Sequence, residues 1–522
     1  MKKRSMMAGA ILILYIILVC VLVVFEAGAP GSSIHTFWDG IWYSIVTLTT
    51  VGYGDLYPVS VVGRLVGILL VLCSFGLLSG LIGVAFTVFN GALRPVLFLR
   101  GKKHDKKYYF SDKNVFTEIL AANLKKEQDD ATFVFLSKDD RSYVQRDEEL
   151  GHVLMWSGSV RSLLKESDPD KLSLFFMKED ETANYREAME ALSLNCPVYA
   201  MTGQHPQMHP KGLTIFHPKE CMSRLYWQEE PVIDEEIILL LGDGPLAYDL
   251  LEQGLMTNVF AADRRLSYHL FGDFEDFFAY HHELGQVLSL DGSDLTKDAL
   301  ILHHEPITQA SELLKTADRV ILCLEDDEAN IRLYNNFRRF FAVPGTVHVR
   351  MWQSFPEEGE KIFGIYEELM TPDLVMKESL ESLGRQMHNI YRAEANFAMA
   401  PWEELPEYFR WSNLSAADHL PVKMRILTGE KGVISVTPET CAKAFEIYEE
   451  RVKQGDAAVF QEIEHRRWFR FHTVHNWVYG PVRDNDMRIH PMLVPFDELP
   501  EIEKEKDSYP WRLMKSLSES EG

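Results

Sequence analysis

Cysteine is sparse and unpatterned in this chain. Its six residues, Cys20, Cys73, Cys196, Cys221, Cys323 and Cys441, are scattered over 522 positions with no CxxC pair. Such spacing argues against a disulfide framework or a cysteine-based metal site, and the thiols read as reduced and buried; no metal ligand set is expected. Positive charge is also in short supply. Lys and Arg number 53 against 77 Asp and Glu, for a net charge of −24. A nucleic-acid binder needs a concentrated basic face, so this balance points away from one. No segment joins an assignable catalytic base to a substrate pocket, and an enzyme is not expected. Between Ser5 and Gly63 there is no Lys or Arg at all.

What is present is unevenly distributed. The mean hydropathy of −0.12 looks soluble, yet residues 10–90 are overwhelmingly apolar and everything after Lys102 has globular composition. The length suggests three or four domains. Ala10–Ala27 is a run long enough to span a hydrocarbon core, and Val61–Asn90 is a second. The Met1-Lys2-Lys3-Arg4 start also suits a signal peptide, but no clean small-x-small site follows and a second span does. After the second span, basic residues resume at Arg94, Arg100, Lys102 and Lys103. Positive flanks outside both spans predict a multi-pass protein of the cell membrane with both termini in the cytoplasm.

The loop between the spans carries the chemistry. His35–Thr50 is aromatic and too short to span, the pattern of a re-entrant helix. Non-helical backbone at that depth is tolerated only when it is buried in protein or lines a watery cavity. Thr50-Val51-Gly52-Tyr53-Gly54-Asp55 follows it directly. This string closely matches the potassium-channel signature, and residues 8–95 resemble the pore of two-span potassium channels. A dehydrated K+ needs rings of carbonyl oxygens, and Gly52 and Gly54 allow the backbone angles that turn carbonyls to one axis. The Thr50 hydroxyl adds an inner oxygen ring, while Val51 and Tyr53 pack the wall. One chain supplies one strand of such a filter, so a homotetramer in a lipid bilayer is expected. The resemblance implies that Trp42, beside Tyr43, donates to Asp55 behind the filter. Val46 stands where some relatives carry a carboxylate. Gly76, Gly80 and Gly83 on the second span are either a gating bend or sites of close helix packing.

Past Tyr108, strand and helix patterns alternate, which implies parallel sheets. Strands are expected at Tyr108–Ser111, Phe133–Leu136, Leu174–Met177 and Pro197–Ala200. The plan restarts with a strand at Ile237–Leu241. Gly242-Asp243-Gly244-Pro245-Leu246-Ala247 then opens a helix, and a strand at Val259–Ala262 ends at Asp263. This is the GxGxxA form of a dinucleotide fingerprint, with its acid about 20 residues on. The segment Leu174–Asn184 is echoed by Val320–Asn330, which indicates duplication. Both units resemble regulator-of-potassium-conductance (RCK) domains, also called TrkA-N-like, over residues 105–375. The first has Ser111-Asp112-Lys113-Asn114 in place of the glycine loop, and is read as structural or as an assembly surface. The second is either an adenine-nucleotide site (NAD, ADP or ATP) using Gly242, Gly244, Ala247 and Asp263, or an empty pocket. Asp326 and Asp327 form either a divalent-ion site or a solvated acidic turn.

Residues 376–522 change again, with Trp402, Trp411, Trp468, Trp477 and Trp511. The words Trp477-Val-Tyr479-Gly480-Pro481 and His490-Pro491-Met-Leu-Val494-Pro495-Phe496 resemble the ryanodine-receptor repeat (RyR) domain over 385–510. His419, Lys423, Arg467, Trp468, Tyr479 and Arg483 form either a pocket for an anionic, stackable ligand or core and surface. The tryptophans are read as core.

The expected architecture is multidomain. It comprises an α-helical two-span membrane pore (1–100), two α/β Rossmann-like parallel-sheet units (105–230 and 231–375) and a mainly α-helical RyR-type module (376–522). The resemblances imply a potassium channel subunit gated by a cytoplasmic nucleotide or divalent cation. Two alternatives stay open: a nucleotide-responsive stress or defence effector that depolarises the cell through the same pore, and a non-conducting nucleotide-binding membrane protein.

Overall fold

The computed structural model describes residues 2–519 except 50, 90–92, 166, 204, 207–209, 355–360 and 395–398. The chain forms two compact units, one of Met1–His104, Ser137–Asp147 and Gly151–Ser167, the other of the remaining residues.

In the first unit, helix α1 (Lys2–Glu26) and helix α3 (Val61–Val88) flank a shorter helix, α2 (Phe37–Leu48). Val19 and Leu22 of α1, Ile34, and Val66 and Leu70 of α3 form the shared core. Close packing falls at glycines: an added Cβ on Gly40 would stand 2.9 Å from Val19, and one on Gly67 2.9 Å from the Tyr43 hydroxyl. Most other apolar side chains of α1 and α3, among them Ile13, Ile17, Leu65, Ile68 and Leu72, are exposed. In water such a surface would be unstable, whereas in lipid it is the expected one. Among the described residues, Val61–Phe86 is the one helix long and apolar enough to cross a membrane by length and composition; Leu12–Glu26 is a shorter apolar helix. The unit also holds an antiparallel hairpin of Tyr143–Asp147 with Gly151–Trp156.

The second unit contains two parallel sheets. In the first, β1 (Lys107–Phe110), β2 (Thr132–Leu136), β3 (Leu172–Phe176), β4 (Val198–Met201) and β5 (Leu213–Phe216) pair in parallel in the order β2-β1-β3-β4-β5. Helix α4 (Val115–Glu127) follows β1 and helix α5 (Glu181–Ala191) follows β3. Phe135, Phe110, Phe175 and Tyr199 stack across four strands at 5.1, 4.9 and 4.7 Å between rings. Each such pair contributes about 0.5–1.5 kcal/mol beyond its buried area.

Helix α6 (Pro218–Glu229) leads to the second sheet. Its strands are β6 (Ile237–Gly242), β7 (Ser267–Phe271), β8 (Leu288–Ser289), β9 (Asp298–His303), β10 (Arg319–Cys323), β11 (Thr346–Arg350) and β12 (Lys361–Phe363), in the order β8-β9-β7-β6-β10-β11-β12. Helix α7 (Gly244–Thr257) follows β6, and helix α8 (Asp327–Phe340) follows β10. The order reverses at β6, the topological switch point where doubly wound sheets place ligands.

The C-terminal region is helical: α9 (Glu407–Asp418), α10 (Leu420–Thr428), α11 (Pro438–Gln454), α12 (Ala457–Val474) and α13 (Tyr509–Glu519). Its core gathers Met424, Cys441, Tyr448, Phe460 and Trp511. Trp402, Trp477 and Trp511 are buried, and Trp511 donates its indole N–H to the Phe460 carbonyl at 2.8 Å.

This helical region is fastened to the second sheet unit by buried polar contacts. Asp418 accepts from Arg224 Nε and Nη2 at 2.8 and 3.0 Å, from Gln228 at 3.1 Å and from Gln253 at 2.9 Å. Arg470 pairs with Asp298 at 2.7 Å. Both pairs are more than nine-tenths buried.

Candidate functional site

The pore segment is built from α2 outward. Thr36 caps the helix, accepting from the Asp39 amide at 3.2 Å, while Asp39 accepts from the His35 and Thr36 amides at 2.9 and 2.7 Å. That reciprocal box satisfies orphan donors at the helix start. At the other end, the Val46 carbonyl receives the amides of Val51 and Gly52 at 3.1 and 3.2 Å. Gly52 and Gly54 then take φ of +55° and +74°, the left-handed region that side chains disfavour. Alternating left-handed residues are what allow successive carbonyls to share one direction. Trp42 donates its indole N–H to Asp55 at 3.0 Å and stacks on Tyr53, with rings 6.2 Å apart and 7° from parallel. Val51 and Tyr53 remain more than half exposed within the single chain. Thr50 lies outside the described residues.

Glu26 is a support the sequence reading missed. Its buried carboxylate accepts from the Ser60 amide and hydroxyl at 2.9 and 2.7 Å and from the Val59 amide at 3.0 Å. The end of α1 therefore caps the start of α3, where a negative charge suits the helix dipole. A lone Glu closing an apolar run, set against a Ser three residues before a Gly, is the signal that was available. Gly76, Gly80 and Gly83 lie within continuous α3, and among the described residues an added Cβ at any of them meets no atom within 4 Å.

In the second sheet unit, Gly242 ends β6 and Gly244 (φ +72°) opens α7 with Pro245 behind it. An added Cβ on Gly242 would stand 2.5 Å from the Ala247 Cβ and 2.9 Å from the Cys323 carbonyl, so Gly242 and Ala247 permit the close helix–strand approach. Asp243 makes no side-chain cap to α7, and the positive end of the helix dipole there favours an anion.

Asp263 is not at this edge, which corrects the sequence reading. Val259–Ala262 is not a strand; β7 begins at Ser267, and Asp263 sits in the turn before it, at the opposite edge of the sheet. The apolar run misled because Val259 and Phe260 are buried for another reason. His419 Nε2 donates to the Val259 carbonyl at 2.8 Å, and the Arg264 guanidinium covers the Phe260 ring at 3.8 Å. The acid at the carboxyl end of β7 is Asp273, whose carboxylate accepts from the Glu275 amide at 3.2 Å.

In the first parallel sheet the corresponding loop is filled by its own side chains. Asn114 caps α4 and donates to the Met177 carbonyl at 2.7 Å, and Ser111 accepts from the Met177 amide at 3.1 Å. The acidic turn is likewise occupied: Asp327 accepts from Arg350 at 2.6 Å and from the Trp352 amide at 3.0 Å.

The residues expected to form one pocket in the C-terminal module divide into two groups. His419, Lys423 and Arg467 are buried with Glu464. Lys423 contacts Glu464 at 2.7 Å and donates to His419 Nδ1 at 2.8 Å; Arg467 binds Glu464 at 2.6 Å and Ser415 at 3.1 Å. Burial alone would raise the Glu464 pKa, but the Arg467 and Lys423 charges outweigh it and hold the carboxyl at about 2. Tyr479 and Arg483 are exposed, with Arg483 turned to Asn485 at 2.8 Å, and Trp468 packs on the His472 ring at 4.0 Å. Sequence proximity of basic and aromatic residues does not specify which side of a helix each one faces.

A cavity of about 330 Å³ opens where α6, α7, α9 and α12 meet, lined by His205, Asp249, Glu252, His281, Trp411 and Asp418 among others. Burial, then Glu252 and Glu220, push Asp249 up to about 8; burial and Glu220 push Glu252 up to about 7. Burial lowers His475 to about 4.

A glycine-punctuated segment braced by Trp42 and Asp55, in an apolar helical unit followed by two doubly wound sheets, defines a pore-type module joined to an α/β assembly. Residues 10–90 match the ion channel family model and residues 454–518 match the RyR domain model. The pore module is thus similar to potassium channels, and the other end of the chain is similar to RyR domains. A voltage-gated potassium channel of Aeropyrum pernix is 34% identical over 85 residues, 16% of this chain and 29% of the relative. The calcium-gated potassium channel TvoK of Thermoplasma volcanium is 46% identical over 50 residues, 10% of this chain and 14% of the relative. The chain spans under a third of the length of the first of these relatives. Among solved structures, the GsuK channel is 15% identical with a TM-score of 0.37, covering 72% of this chain and 99% of its own. The GsuK channel bound to NAD gives 13% and 0.34, covering 72% and 84%.

Proposed function

We propose that this chain is one subunit of a K+-selective channel, assembled as a homotetramer in the cell membrane with both termini in the cytoplasm. The observation that carries the reading is the Val51–Asp55 segment, with Gly52 and Gly54 left-handed and Asp55 held by Trp42. Carbonyl oxygens of Thr50, Val51, Gly52 and Tyr53 from four chains replace the hydration shell of K+, with Gly54 completing the turn. Nothing in this reading calls for covalent chemistry. Gly76, Gly80 and Gly83 provide the bend in α3, since added side chains there would meet open space.

Gating is assigned to the sheet units, with an adenine nucleotide (NAD, ADP or ATP) as regulator. Its diphosphate lies over Gly242–Ala247 at the α7 N-terminus, and Asp273 replaces Asp263 as the ribose acceptor. A ligand moves the gate only by binding one conformation more tightly than the other.

The test is K+ flux through the purified protein in liposomes. Flux that Gly52→Asp abolishes supports the filter assignment; flux that survives it rejects conduction through this segment. Thermal shift of the full-length protein with NAD, ADP and ATP tests the regulator, and no shift with all three rejects that class.

A further inference from the structure

Three side chains at the start of α6 take no part in the pore segment or the glycine loop. His205 lies in the segment between β4 and β5, His217 directly precedes α6, and Glu220 is in its first turn. Their nitrogen and oxygen ligand atoms all lie within 4.8 Å of one another. The two imidazoles stack at 4.1 Å, 18° from parallel. His217 Nδ1 is buried, and among the described residues it has no hydrogen-bond partner. A buried polar atom without a partner is costly and uncommon in native structures.

The surroundings favour a cation. Beyond Glu220, the adjoining cavity presents Asp249 and Glu252. Of the nearby positive groups, Arg224 is committed to Asp418 at 2.8 Å and stands 3.9 Å from Glu220. The Glu407 carboxylate is 3.8 Å from His205 Nδ1. The positive end of the α6 dipole opposes a cation here, so the site depends on these carboxylates to offset it.

We propose that His205, His217 and Glu220 bind a divalent transition-metal cation of the Zn2+ and Co2+ class. Two imidazoles and one carboxylate are the donors such ions prefer, whereas Ca2+ takes six to eight oxygens. Around a metal with bonds of about 2.1 Å, tetrahedral ligands stand about 3.4 Å apart, so closure from the present spacing draws ligand atoms together by up to about 1.4 Å and turns the two imidazoles out of their stack, so that each ring plane contains the metal. Three protein ligands leave the fourth position open towards the cavity. The proposal uses only residues outside the pore and stands whether or not the chain conducts K+.

The experiment is a Co2+ titration of full-length protein, chelator-stripped in detergent, read by visible absorption. The expected result is one Co2+ per chain with d–d bands and no near-ultraviolet thiolate charge-transfer band, because no cysteine is a ligand. His217→Gln and Glu220→Gln each weaken binding by about tenfold or more, and excess Mg2+ or Ca2+ does not displace the ion. If His217→Gln fails to fold, as judged by near-ultraviolet circular dichroism, His205→Ala replaces it. Absence of d–d bands, a thiolate charge-transfer band, or unchanged affinity in the folded variants overturns the assignment.

Discussion

Asn184 and Asn330 make the same three hydrogen bonds at equivalent places in the two sheet units. Asn184 accepts from the Lys178 amide and donates to the Lys178 and Met201 carbonyls, each at 2.8 Å. Asn330 accepts from the Leu324 amide at 3.0 Å and donates to the Leu324 and Arg350 carbonyls at 2.9 and 3.0 Å. Each side chain is fully buried and ties a strand-to-helix turn to the end of the next strand.

Removing the Asn184 amide takes the partner from one backbone donor and two acceptors, whereas at Asn330 the Leu324 carbonyl keeps its Arg350 donor. Asn184→Ala and Asn330→Ala should each destabilise their unit by about 2–4 kcal/mol, since unpaired buried groups cost about 1–3 kcal/mol apiece and partly relax. Chemical denaturation of both variants checks this. An effect below about 1 kcal/mol in either would show that the turns do not depend on the side chain.

The Trp42–Asp55 bond predicts a separable effect on the pore segment. Trp42→Phe keeps an aromatic ring against Tyr53 and removes only the N–H donor. A hydrogen bond to a charged acceptor is worth about 1.5–3 kcal/mol. K+ flux in liposomes should therefore decay faster or lose discrimination against Na+, and an unchanged permeability ratio and time course would count against this role.

Glycines on α3 should respond oppositely to alanine. Gly63→Ala places a Cβ 2.8 Å from the Glu26 carboxyl carbon and disturbs the cap, lowering thermal stability. Gly80→Ala meets open space within the chain and should raise helix stability by about 0.5–1 kcal/mol while impeding gating. Melting temperature and flux measured on the same preparations distinguish the two.

Acid should loosen the C-terminal helices through Glu464. Its folded pKa of about 2 lies below the ordinary carboxylate value, so its contribution is present above about 4.3 and disappears as pH falls towards 2. Glu464→Gln should flatten that part of the pH–stability curve and cost about 3–5 kcal/mol at neutral pH by leaving Lys423 and Arg467 without their counter-ion. Melting curves between pH 2 and 7 provide the check.

Much of this was legible in the sequence. The glycine spacing at 52 and 54, the Trp42–Asp55 pairing and the repeat centred on Asn184 and Asn330 all depend on local residue order. The second strand was misplaced because Val259 and Phe260 are apolar for contact with His419 and Arg264, partners distant in sequence or outside any strand pattern. The same limit applies to Lys423 and Arg467, whose shared Glu464 makes them core rather than pocket. Cys441, Ala444 and Tyr448 of α11 are buried core although no recognised sequence word falls on that helix. The His205, His217 and Glu220 cluster had no signature because its spacing is set by a strand and a helix start.

Asp418 collects donors from α6 and α7, and Arg470 reaches Asp298, so the C-terminal module is riveted to the second sheet unit through buried charges that are each other's nearest counter-ions. Deleting that module is consequently not a neutral way to ask what it senses. It would strand Arg224 and Asp298 as unneutralised charges on a surface shaped to be covered. A truncated chain that failed to respond to a ligand would report a wounded sheet unit as readily as a missing sensor. Point substitutions on the exposed side, at Tyr479 or Arg483, leave those rivets in place and put the question cleanly.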